Sequence, residues 1–173
     1  MNKQLLLLNQ SNLESIQSVV LKPNYIRSNL SAGIVHIGVG NFHRAHLSWY
    51  LHRLMQKDLA KDWAILGSGI TEYDVNMRES LQHQDFLTTL IELDPEGNQS
   101  CEIVGPMIDY IPVEKGNHKL INAMSDSKIK IVSLTVTEGG YFLDENGDFI
   151  HPDRLIGIFA KDVLSRITED TSE

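Results

Sequence analysis

Short apolar runs alternate with segments of helical spacing along most of this chain. Within the runs, aliphatic and β-branched residues follow one another with little polar interruption, which is typical of strands buried on both faces. The predicted strands are 33–37, 62–67, 86–93, 100–104 and 128–136. Apolar residues three or four apart predict helices that begin near residues 41 and 75 and cover 116–124 and 155–167. This alternation predicts an α/β fold with a mostly parallel sheet and flanking helices.

Two features depart from this alternation. The turn signal Asp94-Pro95-Glu96-Gly97 predicts that 86–93 and 100–104 pair as an antiparallel hairpin inserted into the fold. Residues 1–30 form a polar lead-in, in which Ser11 or Asn12 is expected to cap a short helix.

The turn after the first predicted strand has the sequence Gly38-Val39-Gly40 and opens a helix. In such a turn the first glycine permits the tight bend, and the second lets the main chain approach a pyrophosphate closely. The backbone N–H groups at the helix start then face the anion. The arrangement predicts a phosphate-binding loop, although His43 replaces the usual third glycine and a purely structural turn is the alternative.

Two acidic residues follow other strands of the predicted sheet, whose carboxyl ends should share one edge with the loop. Asp74 could accept both ribose hydroxyls of an adenosine, although it lies farther along than the usual about 20 residues. Its alternative role is to cap the next helix. Glu138 could accept or relay a proton, and its alternative role is that of a solvated loop acid.

The histidines divide by position along the first strand and helix. His36 lies in the middle of the strand and is interpreted as a satisfied core residue. His43 and Arg44 are interpreted as phosphate-side or packing groups, and His46 and His52 fall on the polar face of the helix. The apolar face is formed by Phe42, Ala45, Leu47, Tyr50, Leu51, Leu54 and Met55. No nearby acid completes a ligand set, so we expect no metal site.

The composition of the chain disfavours several classes of function. The 173 residues carry a formal net charge of −8, which disfavours non-specific nucleic-acid binding. With 42% hydrophobic and 22% charged residues the chain has a globular composition, and no apolar stretch approaches the roughly 20 residues of a membrane helix. The single cysteine, Cys101, excludes an internal disulfide. We expect a cytoplasmic protein without membrane or nucleic-acid partners.

Several of these segments together resemble the polyol-specific long-chain dehydrogenase family, which includes mannitol 2-dehydrogenases and fructuronate reductases. The resemblance rests on Gly-Val-Gly-Asn-Phe-His-Arg-Ala-His at 38–46 and on Thr-Val-Thr-Glu-Gly-Gly-Tyr at 135–141. Segments 63–70, 85–90 and 108–110 match as well, in the family's order.

The resemblance implies a Rossmann-type domain, incomplete and with a hairpin insertion, over residues 31–173. It implies binding of NAD, with NADP left open, in an oxidoreductase that interconverts a sugar alcohol such as mannitol and a ketose, or the related hexuronates. The cofactor contacts it implies are Gly38, Gly40, Asn41, Phe42, Asp74 and Thr137, and it makes Glu138 the active-site acid.

The family's catalytic lysine lies in a Lys-x4-Asn-x2-His motif of a helical C-terminal substrate domain, and neither occurs in this sequence. We therefore expect these residues to bind cofactor but to be inactive alone, with exposed apolar surface that leaves self-association open. A non-catalytic nucleotide-binding or regulatory module is a second hypothesis, favoured by the missing lysine. A methyltransferase is a third, disfavoured by the 135–141 segment.

Overall fold

The computed structural model describes residues 6–69, 71, 72 and 74–135. Six strands are found there: β1 (Ala32–Ile37), β2 (Ala64–Ser68), β3 (Thr88–Leu93), β4 (Gln99–Val104), β5 (Met107–Ile111) and β6 (Ile131–Leu134). The α-helices of the same residues are α1 (Asn41–Ala45), α2 (Leu47–Met55), α3 (Asp74–His83) and α4 (His118–Met124).

A four-stranded sheet in the order β5-β2-β1-β6 forms the centre, and all three strand pairs are parallel. Successive residues of β1 point to opposite faces and are buried on both. Ile34 packs with Leu51 of α2 and Leu81 of α3, whereas Val35 packs with Leu120 and Ile121 of α4. Helices therefore cover both faces, and the predicted α/β fold is confirmed as a Rossmann-like sheet.

The hairpin is also confirmed, although it does not extend the central sheet. β3 and β4 pair antiparallel from Thr88–Val104 to Leu93–Gln99 and form a separate two-stranded sheet. The strand after it, β5, was absent from the sequence prediction. Its five residues lie between Pro106 and Pro112, and these prolines favour a loop in a sequence analysis.

The lead-in is held by hydrogen bonds within itself and to the rest of the domain. Its first ordered turn is a 3₁₀ helix, Gln10–Ser15, capped by the Asn9 side chain, which accepts a hydrogen bond from the Asn12 N–H at 2.9 Å. The predicted cap at Ser11 or Asn12 is therefore wrong by two or three residues. Farther along, the Arg27 guanidinium donates to the carbonyls of Gly105 and Met107.

The prediction of which residues of the first helix face the core is wrong. The backbone breaks at His46, whose φ of −118° and ψ of −85° separate α1 from α2. Helical spacing does not carry across such a break, so Phe42, Tyr50 and Leu54 are exposed rather than buried. His52, assigned to the polar face, is instead fully buried.

The burial of His52 is explained by a polar cluster beneath α2. Its Nδ1 lies 2.7 Å from the Tyr25 hydroxyl, and its Nε2 lies 3.3 Å from Oε1 of Glu102. The Trp49 indole donates to Oε2 of Glu102 at 3.0 Å, and the Arg53 guanidinium lies 3.4 Å from the same oxygen. Burial lowers the pKa of His52 despite the neighbouring carboxylate. The cluster joins the lead-in, α2 and β4.

Removing Glu102 should therefore destabilise the fold. We expect Glu102→Ala to lower the free energy of unfolding by about 3 kcal/mol, because His52, Trp49 and Arg53 lose a buried partner together. Urea denaturation measures this, with Glu92→Ala on the exposed face of the same hairpin as control. Equal, small losses for both variants would show that the cluster contributes nothing specific.

Candidate functional site

The turn at Gly38 is built by backbone contacts to both strands beside β1. The Gly38 N–H donates to the Ser68 carbonyl at 2.8 Å, and the Gly40 N–H donates to the Gly38 carbonyl at 2.8 Å. Gly38 has a φ of +88°, and a Cβ added there would lie 3.1 Å from the carbonyl oxygen of Thr135. The positive φ therefore favours glycine strongly, and an added Cβ would also require the Thr135 carbonyl to shift by a few tenths of an ångström.

Gly40 is a glycine for a different reason. Its φ of −99° is accessible to any residue, and an added Cβ would meet no heavy atom of the described residues within 4 Å. Neither the backbone nor the packing of the described residues requires a glycine here. A side chain would instead fill the open space directly above the loop, which is where a phosphate approaches in loops of this type. The residues therefore fit a pyrophosphate group.

Asp74 is brought to the end of β2 by Gly69. A Cβ added at Gly69 would lie only 2.1 Å from Cβ and Cγ of Asp74, so the carboxylate occupies the space that glycine leaves. Its Oδ2 accepts hydrogen bonds from the Thr71 N–H at 3.0 Å and from the Thr71 hydroxyl at 2.7 Å. Both donors belong to Thr71, three residues before Asp74, which is itself the first residue of α3.

The third expected segment follows β6. The Thr135 N–H donates to the Ile37 carbonyl at 3.0 Å, which sets the end of β6 directly beside the start of the turn. Thr137 and Glu138 lie outside the described residues. The ends of β1, β2 and β6 thus share one edge of the sheet, as the sequence predicts.

Two further predicted contacts, Asn41 and Phe42, lie on the exposed side of α1. Phe42 is 65% exposed, and its ring stacks on that of His46 at 4.3 Å. Oδ1 of Asn41 accepts a hydrogen bond from the Arg44 guanidinium, which keeps that cation at the start of the helix. The Arg44 Nε–H also donates to the Gly40 carbonyl at 3.4 Å, so this half-buried cation is already engaged beside the loop.

Beneath the loop, His36 and His43 form a stacked pair that sequence analysis did not predict. Their ring centroids lie 3.7 Å apart with an interplanar angle of 15°, and both side chains are buried. His36 is the hydrogen-bonded core residue that its position predicts. Burial lowers the pKa of His43 to about 3, with further lowering by His36 and Arg44. The sequence signal that could have revealed this pair is the presence of one histidine on each side of the glycine turn.

A cavity of about 690 Å³ lies elsewhere, between the lead-in and the start of the hairpin. It contains none of the predicted site residues. Its two cations are already engaged: Lys22 donates to the carbonyls of Leu13 and Ile16, and Arg27 donates to those of Asp85, Gly105 and Met107. Both cations of the cavity are therefore held by backbone carbonyls of the domain.

Two further findings concern the described part of the chain. None of its helices combines the length and apolar character that a bilayer crossing requires. Its His, Cys, Asp and Glu side chains form no group of three or more that could hold a metal ion.

Comparison with known proteins gives consistent matches. The family model for the mannitol dehydrogenase Rossmann domain matches residues 32–172. A mannitol 2-dehydrogenase of Cereibacter sphaeroides is 55% identical over 136 residues, which are 78% of this chain and 28% of that protein.

Solved structures agree with the sequence comparison. The ternary complex of Pseudomonas fluorescens mannitol 2-dehydrogenase with NAD and D-mannitol superposes with a TM-score of 0.84 at 35% identity, over 95% of this chain and 36% of that one. A substrate-free D-sorbitol dehydrogenase superposes with a TM-score of 0.75 at 34% identity, over 86% and 31%. The chain thus spans about a third of these structures.

The buried pair of His36 and His43 makes the free energy of unfolding depend on pH. An unfolded histidine has a pKa of about 6.5, so on acidification the unfolded chain takes up the proton before folded His43 does. Stability from this residue is complete above about pH 6.5 and falls towards pH 3, by about 1.4 kcal/mol per unit. We expect His43→Phe to unfold with a shallower pH dependence.

Urea denaturation at pH 6.5, 5.5 and 4.5 measures this slope. His83→Phe replaces an exposed histidine at the end of α3 and should keep the parent slope. A slope for His43→Phe identical to that of the parent would contradict burial of a neutral imidazole at position 43.

Proposed function

The chain belongs to the mannitol dehydrogenase family through its Rossmann domain, and on that premise we propose that it binds a nicotinamide dinucleotide at the Gly38-Val39-Gly40 turn. The observation that carries the proposal is the open space at Gly40, beside a turn that the neighbouring strands hold in place. Backbone N–H groups there can bind phosphate without a cationic side chain, which suits a chain of net charge −8.

The remaining contacts follow from the same edge of the sheet. Asn41 and Phe42 would border the pyrophosphate and adjoining ribose, and Thr137 would join them from the segment after β6. Asp74 would accept the ribose hydroxyls of the adenosine, and its negative charge would disfavour a 2′-phosphate. This arrangement favours NAD over NADP.

The reaction we propose for the whole enzyme interconverts a sugar alcohol and a ketose. The dinucleotide, when bound, supplies hydride acceptance and donation at its nicotinamide ring. Glu138 would hold or relay a proton near the reacting carbon. Relatives described as mannitol and sorbitol dehydrogenases support a hexitol or its ketose as substrate. The related hexuronates are a second class, which only the family resemblance of segments 38–46 and 135–141 implies.

These 173 residues supply only part of what that reaction needs. The 173 residues contain no Lys-x4-Asn-x2-His motif, which holds the proton-accepting lysine in the family that the sequence resembles. We therefore propose that they supply cofactor binding and not the alcohol's proton acceptor.

Gly40→Ala tests the loop directly. We expect calorimetric titration to show NADH binding to the parent chain and about tenfold weaker binding to Gly40→Ala, because the new methyl group occupies the space for the pyrophosphate. The melting temperature should stay within about 2 °C of the parent, since the Cβ meets no described atom.

Gly38→Ala is the contrasting variant, because it should lose stability through its positive φ. The proposal is overturned if the parent binds neither NADH nor NADPH at millimolar concentration. Unchanged NADH affinity in a folded Gly40→Ala variant would move the phosphate site away from this loop.

Asp74→Ala tests cofactor choice. We expect it to weaken NADH binding more than NADPH binding, because the variant loses a ribose partner and also loses repulsion of the 2′-phosphate. The ratio of the two affinities cancels any general loss from the broken Thr71 bonds. Glu72→Ala, an exposed neighbour, should leave the ratio unchanged. If Asp74→Ala weakened the binding of NADH and NADPH equally, Asp74 would act only as a helix-capping residue.

A further inference from the structure

His36 joins the glycine turn to β6. Its Nε2 lies 3.3 Å from the Gly38 carbonyl and 3.2 Å from the Thr135 hydroxyl, and its Nδ1 lies 2.9 Å from the Ser133 hydroxyl. Because a carbonyl can only accept, we assign the tautomer in which Nε2 carries the proton and donates towards Gly38, while Nδ1 accepts from Ser133. One neutral imidazole thus contacts the turn that faces the phosphate and the strand that leads to Glu138.

His43 contributes by its ring face. It is 99% buried (1% exposed), and neither ring nitrogen has a hydrogen-bond partner among the described residues. Its close contact is instead the parallel stack on His36. In the usual glycine pattern the third glycine allows the helix to pack closely on the strand. Here an imidazole fills that position, and the helix rests on the sheet through two aromatic rings.

We propose that the His36–His43 stack is a positioning pair, which holds the Gly38 carbonyl and the end of β6 in the one geometry that binds the pyrophosphate. His36 acts through its hydrogen bonds and His43 acts through stacking alone. Neither residue touches the dinucleotide. This inference rests on the proposed function, because it assigns the pair to the same nucleotide loop.

Three variants of the full chain separate stacking from hydrogen bonding. His36→Phe keeps the stack and removes the bonds to Gly38, Ser133 and Thr135. His43→Phe keeps the stack and removes only the partnerless nitrogens, and His43→Ala removes the stack. Tyr25→Phe is the matched control, since it removes a buried hydrogen bond to His52 in the cluster beneath α2.

Binding of ADP and of adenosine, followed by NMR titration, distinguishes positioning from general stability. We expect His36→Phe and His43→Ala to weaken ADP binding about tenfold and to leave adenosine binding unchanged, because only ADP has the pyrophosphate. His43→Phe should bind ADP within about twofold of the parent. Tyr25→Phe should lower the melting temperature without changing either affinity.

Two results would overturn the positioning role of the pair without affecting the proposed function. One is ADP binding by His36→Phe that equals that of the parent, and the other is ADP binding by His43→Phe that is weakened about tenfold. The second result would assign the loss to the ring nitrogens. A parent chain that binds neither ADP nor NADH would overturn the proposed function and this inference with it. Should His43→Ala fail to fold, the two phenylalanine variants still decide the question.

Discussion

The carboxyl end of β1 fixes the position of everything else at this site. The Ser68 carbonyl of β2 accepts the Gly38 N–H on one side, and the Ile37 carbonyl accepts the Thr135 N–H on the other. Because parallel strands end at the same edge, these two hydrogen bonds hold the glycine turn between the ends of β2 and β6, and Asp74 follows the end of β2. The chemistry that we propose for the chain depends on that edge and not on an enclosed cavity.

Buried imidazoles recur in the described part of the chain, with different partners. His36 and His43 lie under the turn as neutral stacked rings, whereas His52 lies between a tyrosine hydroxyl and the buried Glu102. Desolvation lowers the pKa of all three, so that acid weakens the fold through each of them. In the role that we propose for it, the first pair holds the glycine turn, whereas the cluster around His52 joins the lead-in, α2 and the hairpin.

Local signals gave the parts of this structure that sequence analysis could predict. Apolar runs located β1, β2 and β6, the Asp94–Gly97 turn located the hairpin, and the glycine spacing located the loop. The predictions failed where contacts between residues that are distant in sequence determine the structure. Helical periodicity could not reveal the break at His46, and His52 looked polar because its partners, Tyr25 and Glu102, are remote in sequence. β5 was missed because its pairing with β2 overrides two flanking prolines.

The most direct test of the account is an amide NMR titration of the isotopically labelled chain with NADH. We predict that the largest shifts fall on Gly38, Val39, Gly40 and Asn41, with a second group at Gly69 and Thr71. Shifts concentrated on Tyr25, Arg27 and Asp85, around the cavity beside the lead-in, would contradict it. The absence of any shift at millimolar NADH would contradict it equally.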